Sequence, residues 1–457
     1  MNRLIPVLLF MTCVLTAPCA SSQNSMPKIL DMRQRAEVID NILDERIQTV
    51  LPELMRREGI DMWIVMAREY NEDPVIRTLL PAKWLAARRR TILVMYDPGQ
   101  GKEIETLAIA RYDVGRSFKK AWDKEQQPDQ WARLMEVIEE RNPDKIGLNM
   151  SEYYAQADGL SAKEYEQFTG KLPSKYKKRV VSAEPLAVGW LETRTPTEMT
   201  LYRQIVRVAH RIIAEGLSEE VIQPGVTTTE DVEWWYRDRI RELGLITWFH
   251  PSVSIQRADP ENFDHLRTFD SHPDQQVIQP GDLLHVDFGI TYLRLNTDTQ
   301  QHAYVLKNGE TDAPAYLKQA LTRGNRLQDI FTGNFKTGRT GNDVLKASRE
   351  QSISEGIKPS IYTHPIGYYG HAAGTTLGMW DSQGGVPYTG DYPLHANTAY
   401  SIELNAATFI EEWDKEIRIM LEEDAYFDGE KVTYIHGRQK NFLLVPRTGE
   451  QKEILEF

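Results

Sequence analysis

From Met32 to Glu58 apolar residues recur at helical spacing, with Val38, Ile39, Ile42, Leu43, Ile47 and Leu51 on one face, and Gly59 follows the last charged turn. The pattern predicts a helix that stops there. The period then shortens. Residues 62–66 read as a buried strand, and further strands are predicted over 91–96 and 105–110, separated by the turn Asp97-Pro98-Gly99. A short amphipathic helix over 131–138 ends at Asn142-Pro143, and 145–149 and 179–182 supply two more strands. This alternation predicts a small α/β domain. It holds no cluster of His, Cys or paired carboxylates, and Arg88-Arg89-Arg90 reads as a solvated face.

A boundary follows over residues 184–198, where Thr195-Pro196-Thr197-Glu198 makes a capping box with proline at the first helical position. The helix it opens carries Leu201, Ile205, Val208, Ile212 and Ile213 and stops before Pro224-Gly225. A second helix starts within Thr227-Thr228-Thr229-Glu230 and ends near Gly244, and its Trp234-Trp235-Tyr236 reads as packing surface. Strands dominate afterwards, over 248–255, 283–290, 399–405 and 417–427. Helices first and strands later predict an α+β domain on an antiparallel sheet. The expected division is a leader over 1–22, an α/β domain over 23–190 and the larger domain over 191–450.

The polar positions on these strands narrow the picture. In the strand from Leu283, Asp287 points away from the face of Leu284, Val286 and Phe288. A turn at Tyr292-Leu293 would set it opposite Asp298, and like charges about 5 Å apart at Cβ repel unless a cation lies between them. His371 sits between glycines in Tyr369-Gly370-His371-Ala372-Ala373-Gly374. Glu403 lies opposite the face of Tyr400, Ile402 and Leu404. In the last strand Glu423 shares the face of Ile417, Ile419, Leu421, Ala425 and Phe427, where a lone carboxylate costs several kcal/mol unless a cation pairs with it. Glu422 falls on the other side beside Arg418 and reads as a surface ion pair.

The chain has 457 residues, enough for two domains, and a formal charge of −12, which argues against a phosphate-tracking surface and so against nucleic acid as a partner. Its opening, Arg3 followed by an apolar run and then small residues, reads as a secretory signal. The mature chain is then exported, periplasmic or secreted, with no transmembrane segment. Both cysteines, Cys13 and Cys19, fall in the leader, so no disulfide is expected. A lipidated Cys19 is disfavoured by the adjacent Pro18.

In chain order, Asp287-Phe288-Gly289, Asp298, Gly370-His371-Ala372-Ala373-Gly374, Ile402-Glu403 and Glu423-Asp424 resemble the signature of the pita-bread metallopeptidases, the family of aminopeptidase P, prolidase and methionine aminopeptidase. The preceding α/β domain resembles the amino-terminal domain of the aminopeptidase P and creatinase branch. The resemblance implies Asp287, Asp298, His371, Glu403 and Glu423 as ligands of two divalent ions, manganese being the family's usual choice, with cobalt, zinc or iron as alternatives. It implies hydrolysis of small peptides, of Xaa-Pro type, by a metal-bridged hydroxide, with Glu403 taking up the water proton. A homodimer is a family-level expectation.

The substrate side departs from that pattern. The second histidine of the family, expected after the Gly-His loop, falls on Gly378 or Trp380; the one four residues before His371 falls on Gly367; a third falls on Asp270; and an arginine two before the last ligand falls on Leu421. His364, His250 and His272 are the candidates to replace a lost proton donor or substrate contact, with His364 assigned to catalysis and His250, His272 and Trp380 to substrate. The departures leave two other readings, a catalytically silent member that binds peptides or a protein, and a hydrolase of a non-peptide C–N bond.

Overall fold

The computed structural model describes residues 26–258 and 276–448. The leader and His272 lie outside the described residues.

The helix Met32–Glu58 opens on a capping box between Asp31 and Gln34 and stops at Gly59, whose φ of +60° closes the last turn. It packs on a six-stranded sheet built from β1 (Met62–Arg68), β2 (Arg90–Tyr96), β3 (Glu105–Ile109), β4 (Lys119–Lys120), β5 (Ile146–Leu148) and β6 (Val180–Ser182), in the spatial order β4-β3-β2-β1-β5-β6. The fully apolar runs of β1 and β2 are buried on both faces. Leu93 and Met95 join one core with Leu51 and Leu54, whereas Ile92 and Val94 join another with Leu134 and Phe168.

The second half begins with the helix Pro196–Gly216, whose capping box pairs Thr195 with Glu198. The next helix, Thr229–Glu242, starts within the expected stretch and is capped by Thr228 with Asp231. The nine-stranded sheet runs β12 (Lys358–Ile361), β14 (Thr398–Ile410), β15 (Lys415–Phe427), β11 (Thr299–Val305), β8 (Leu283–Phe288) and β7 (Ser252–Gln256). β13 (His364–Pro365) pairs with β14, β16 (Val432–Tyr434) with β15, and β17 (Leu443–Val445) with β11. A two-stranded ribbon, β9 (Thr291–Tyr292) and β10 (Leu295–Asn296), fills the connection between β8 and β11. Its turn is Leu293-Arg294, both at positive φ, rather than Tyr292-Leu293. That shift changes the register. Asp287 pairs with Gln300, and Asp298 lies just outside the ladder.

One face of this sheet carries the helices. Leu284 and Val286 pack in one core with Ile205, Val208 and Ile212, and Ile419 and Leu421 in another with Leu317, Leu321 and Leu327. The other face carries the polar alternates of the same strands. They are buried or half-buried too, and the site is built from them.

Candidate metal centre

The antiparallel pairing of β14 with β15 sets Glu403 opposite Glu422 and Ile402 opposite Glu423. Side chains directly opposite share a face, so Glu403 and Glu422 project together. β11 then brings Gln300 beside Glu422, and β8 brings Asp287 beside Gln300. Asp298, at the edge of β11, completes a group in which Asp287, Asp298 and Glu422 offer carboxylate oxygens within 4.8 Å of one another. A second such group joins His364, Glu403 and Glu422, and a third joins Asp298, His364 and His371.

Glu423 does not belong to this cluster. Its carboxylate turns to the helix-packed face, where it meets His210 Nε2 at 2.8 Å, Gln301 Nε2 at 3.1 Å and the backbone N–H of Gln439 at 3.0 Å. The expectation that its apolar neighbours implied a metal is therefore corrected. A buried carboxylate is satisfied there by neutral donors and an imidazole. Glu422, read as a surface ion pair, is 1% exposed and accepts from Ser401 Oγ at 2.6 Å and Gln300 Nε2 at 2.8 Å. The misreading has one cause: the polar face of β15 looks into an enclosed acidic hollow instead of solvent.

Both histidines reach the cluster, and His364, expected to serve catalysis, is the deeper of the two. His364, on β13, points Nε2 to within 3.7 Å of Asp298, 3.7 Å of Glu422 and 4.0 Å of Glu403. Its Nδ1 lies 3.0 Å from the carbonyl oxygen of Pro365. With Nδ1–H donating to that carbonyl, the Nε2 lone pair faces three carboxylates. Burial, then the neighbouring His371, pushes its pKa down to about 3, so the ring is neutral. His371 is exposed beside it, its ring stacked edge-on against His364 at 4.7 Å and against Trp248 at 5.1 Å. Gly370 is required by this contact, since a Cβ there would run into the Trp248 indole. The backbone oxygen of His371 accepts from Gln156 Nε2 at 2.7 Å, so the first domain holds the loop.

Two further residues shape the site. Gln300 donates to Glu403 Oε1 at 2.5 Å and to Glu422 Oε2 at 2.8 Å, and its own oxygen lies 2.9 Å from His285 Nε2. Thr363 Oγ1 accepts the Glu403 backbone N–H at 2.9 Å and fixes that strand position. Sequence reasoning passed over Glu422, Gln300 and His285. Counting back from the Glu411–Asp414 turn pairs 403 with 422, which was the available signal for the first. The seven-residue step from His364-Pro365-Ile366-Gly367 to His371 was the signal for the histidines.

Of the other candidates, His250 lies on the surface, 3.1 Å from Arg237 Nη1 and 5.0 Å from the ring of Trp234. Trp380 is exposed on the turn bridged by Met379 and Ser382. Both sit outside the cluster.

The electrostatics of the cluster ask for a cation. Burial first, and then mutual repulsion, raise the carboxyl pKa values of Asp298 and Glu403 well above their ordinary range, while that of Glu422 rises to about 8. Burial alone takes Asp287 to about 7. Asp287 Oδ1 and His364 Nε2 are buried with no hydrogen-bond partner among the described residues. Four carboxylates and one lone-pair nitrogen, converging without a cation of their own, fit hard or borderline divalent ions and fit little else.

Among solved structures, the chain is similar to the X-Pro aminopeptidase of Thermotoga maritima at 16% identity, with a TM-score of 0.60, covering 86% of this chain and 100% of that one. It is similar to the Xaa-Pro dipeptidase of Bacillus anthracis at 16% identity and a TM-score of 0.55, covering 91% and 100%. A putative aminopeptidase P from the same organism gives 12% identity and a TM-score of 0.58, covering 87% and 94%. No curated protein sequence matches the chain. Residues 201–427, the stretch that carries the nine-stranded sheet and its acidic cluster, match metallopeptidase family M24. The chain belongs to that family, the pita-bread metallopeptidases, in its form with an amino-terminal α/β domain.

Proposed function

We propose that this protein is an exported aminopeptidase or dipeptidase of Xaa-Pro type that works with two divalent cations held by Asp287, Asp298, His364, Glu403 and Glu422. The observation that carries the reading is the convergence of these five side chains, Asp298 and Glu422 buried and Asp287, His364 and Glu403 half-buried, with no cation of the protein among them. Manganese suits so oxygen-rich a donor set. Bound there, the two ions would supply Lewis-acid activation of a water molecule and of the scissile carbonyl.

The remaining chemistry belongs to the chain. Glu403 takes up the water proton, oriented for it by the Gln300 amide and the Thr363 hydroxyl. Asp287, Asp298 and Glu422 hold the negative charge that fixes the cations. His371, exposed at the rim beside His364, is placed to donate a hydrogen bond to the substrate or a proton to the leaving amine. It fills the role for which the substrate side of the sequence offered no matching histidine, which weakens the silent reading. The Xaa-Pro preference rests on the named activities of the structural neighbours, and export rests on the sequence of the amino-terminal leader.

The test is metal analysis of the purified protein combined with a screen of Xaa-Pro and non-proline dipeptides and tripeptides. The proposal expects about two ions per chain and Xaa-Pro hydrolysis abolished by chelator and restored by manganese. Stoichiometric peptide binding without turnover under excess manganese would overturn it.

A further inference from the structure

A cavity in the first domain shares no lining residue with the carboxylate cluster. It encloses about 950 Å³ where the ends of β1, β2 and β3 meet. Its walls hold five arginines, Arg68, Arg88, Arg89, Arg90 and Arg111, and a single carboxylate, Glu69. In a chain whose formal charge is −12, this is a local inversion of sign.

Two of the arginines are committed. Arg90 is paired with Glu164 at 2.7 Å and donates to Gln167, and Arg68 approaches the same Glu164 at 3.9 Å. The guanidinium groups of the other three, all exposed residues, have no carboxylate partner among the described residues, although the Arg89 backbone N–H donates to Glu69 Oε2 at 3.3 Å. The Arg88 guanidinium carbon lies 4.9 Å from the centre of the Trp84 ring, a cation–π distance. Arg89 is set at φ +56°, and its carbonyl oxygen accepts the Glu69 N–H at 2.6 Å. Tyr70, also lining the cavity, has φ +67°. Left-handed backbone at two non-glycine residues of one rim costs free energy that the fold must offset elsewhere.

The apolar walls are fixed as well. Trp122 is buried, and its indole N–H donates to the carbonyl of Gln127 at 2.7 Å. Gln130 Nε2 is held by the carbonyls of Arg90 and Ile109. Tyr70 and Tyr112 stand exposed at the opening. Guanidinium forks that match carboxylate or phosphate, set among rigid aromatic faces in a volume near the upper end of small-molecule sites, describe a particular ligand chemistry.

We propose that this cavity binds a small organic anion that carries a phosphate or paired carboxylate group on an aromatic or similarly planar body. Arg88, Arg89 and Arg111 receive the anionic end, and Trp84, Trp122 and Tyr112 receive the planar part. The site is separate from the carboxylate cluster, whose charge would repel such a ligand.

The test is calorimetric titration of the metal-loaded full chain with phenyl phosphate, inorganic phosphate and phenol. Phenyl phosphate should bind one to one, with each half-ligand at least about tenfold weaker. The double variant Arg88→Ala/Arg111→Ala should lose at least about tenfold in affinity with an unchanged melting temperature and unchanged peptide hydrolysis. The pair Arg88→Lys/Arg111→Lys should recover part of the loss, since charge remains without the fork. Asp298→Asn, which disturbs only the carboxylate cluster, should bind phenyl phosphate as the parent does. Phenyl phosphate binding no tighter than inorganic phosphate, binding that survives in the double alanine variant, or binding lost in Asp298→Asn would each overturn the proposal.

Discussion

Gln300 is the residue on which the acidic cluster turns. Its amide nitrogen bridges Glu403 and Glu422, and its oxygen is oriented by His285. An uncharged donor between two carboxylates lowers the cost of holding them close while leaving each with lone pairs for a cation. Gln300→Leu should therefore weaken metal affinity by about 10- to 100-fold while leaving the stoichiometry at saturating metal unchanged, as a metal titration would measure. The two histidines divide in the same way. His364 has a buried lone pair facing three carboxylates, and His371 has an exposed ring at the rim. His364→Gln should lower metal content, whereas His371→Gln should keep the metal and lose about 10² to 10⁴ in kcat. Equal metal loss in both variants would contradict that division.

At the scale of elements, the β14–β15 hairpin sets the site and β13 completes it. Thirteen-residue strands joined by a short turn fix the register along their whole length, and a slip of one residue would send Glu403 and Glu422 to opposite faces. The periodicity of β15 was legible in the sequence, but which face held the chemistry was not. Apolar alternation identifies the helix-packed side, and a polar side looks the same in sequence whether it meets water or an enclosed acidic hollow. Glu423 added to the confusion because its partners, His210, Gln301 and Gln439, come from three distant segments. The loop of His371 depends on packing as much as on its glycines. Tyr154 OH donates to the Gly374 carbonyl, and Tyr369 OH to that of Pro74, tying the loop to the first domain. Gly370→Ala would force a methyl against Trp248, and thermal unfolding should report a loss of about 1 to 3 kcal/mol together with reduced activity.

Across the whole molecule, the two halves meet at a buried acid. Glu192 is fully buried, its carboxyl accepts from Tyr392 OH at 3.1 Å, and burial, opposed in part by Arg57 and that hydroxyl, raises its pKa to about 8. The folded state thus holds this proton more tightly than the unfolded chain, whose glutamate titrates near 4.5. Stability contributed by the protonated group is full below about 4.5 and is lost as pH rises through about 8. Relative to Glu192→Gln, the parent should lose a few kcal/mol between pH 5 and pH 8 in denaturant melts and change little beyond. A constant gap across that range would count against the buried ionisation. The first helix and its stop, the Thr195 capping box and the division into an α/β and an α+β half were readable from period and punctuation, whereas the helices Ala315–Gly333 and Gly341–Ser354, which lie between strands of the second half, were not. The arginines at the ends of β1, β2 and β3 were not readable as a cavity, because Arg68, Arg90 and Arg111 meet only when three strand ends are brought together.

The central claim concerns which of two adjacent carboxylates belongs to the metal centre, and metal analysis of Glu422→Gln beside Glu423→Gln tests it most directly. Both substitutions keep side-chain volume and remove one charge. The structure predicts that Glu422→Gln drops from about two bound ions to about one or none, while Glu423→Gln retains about two and loses only thermal stability. Retention of both ions in Glu422→Gln together with their loss in Glu423→Gln would contradict the account.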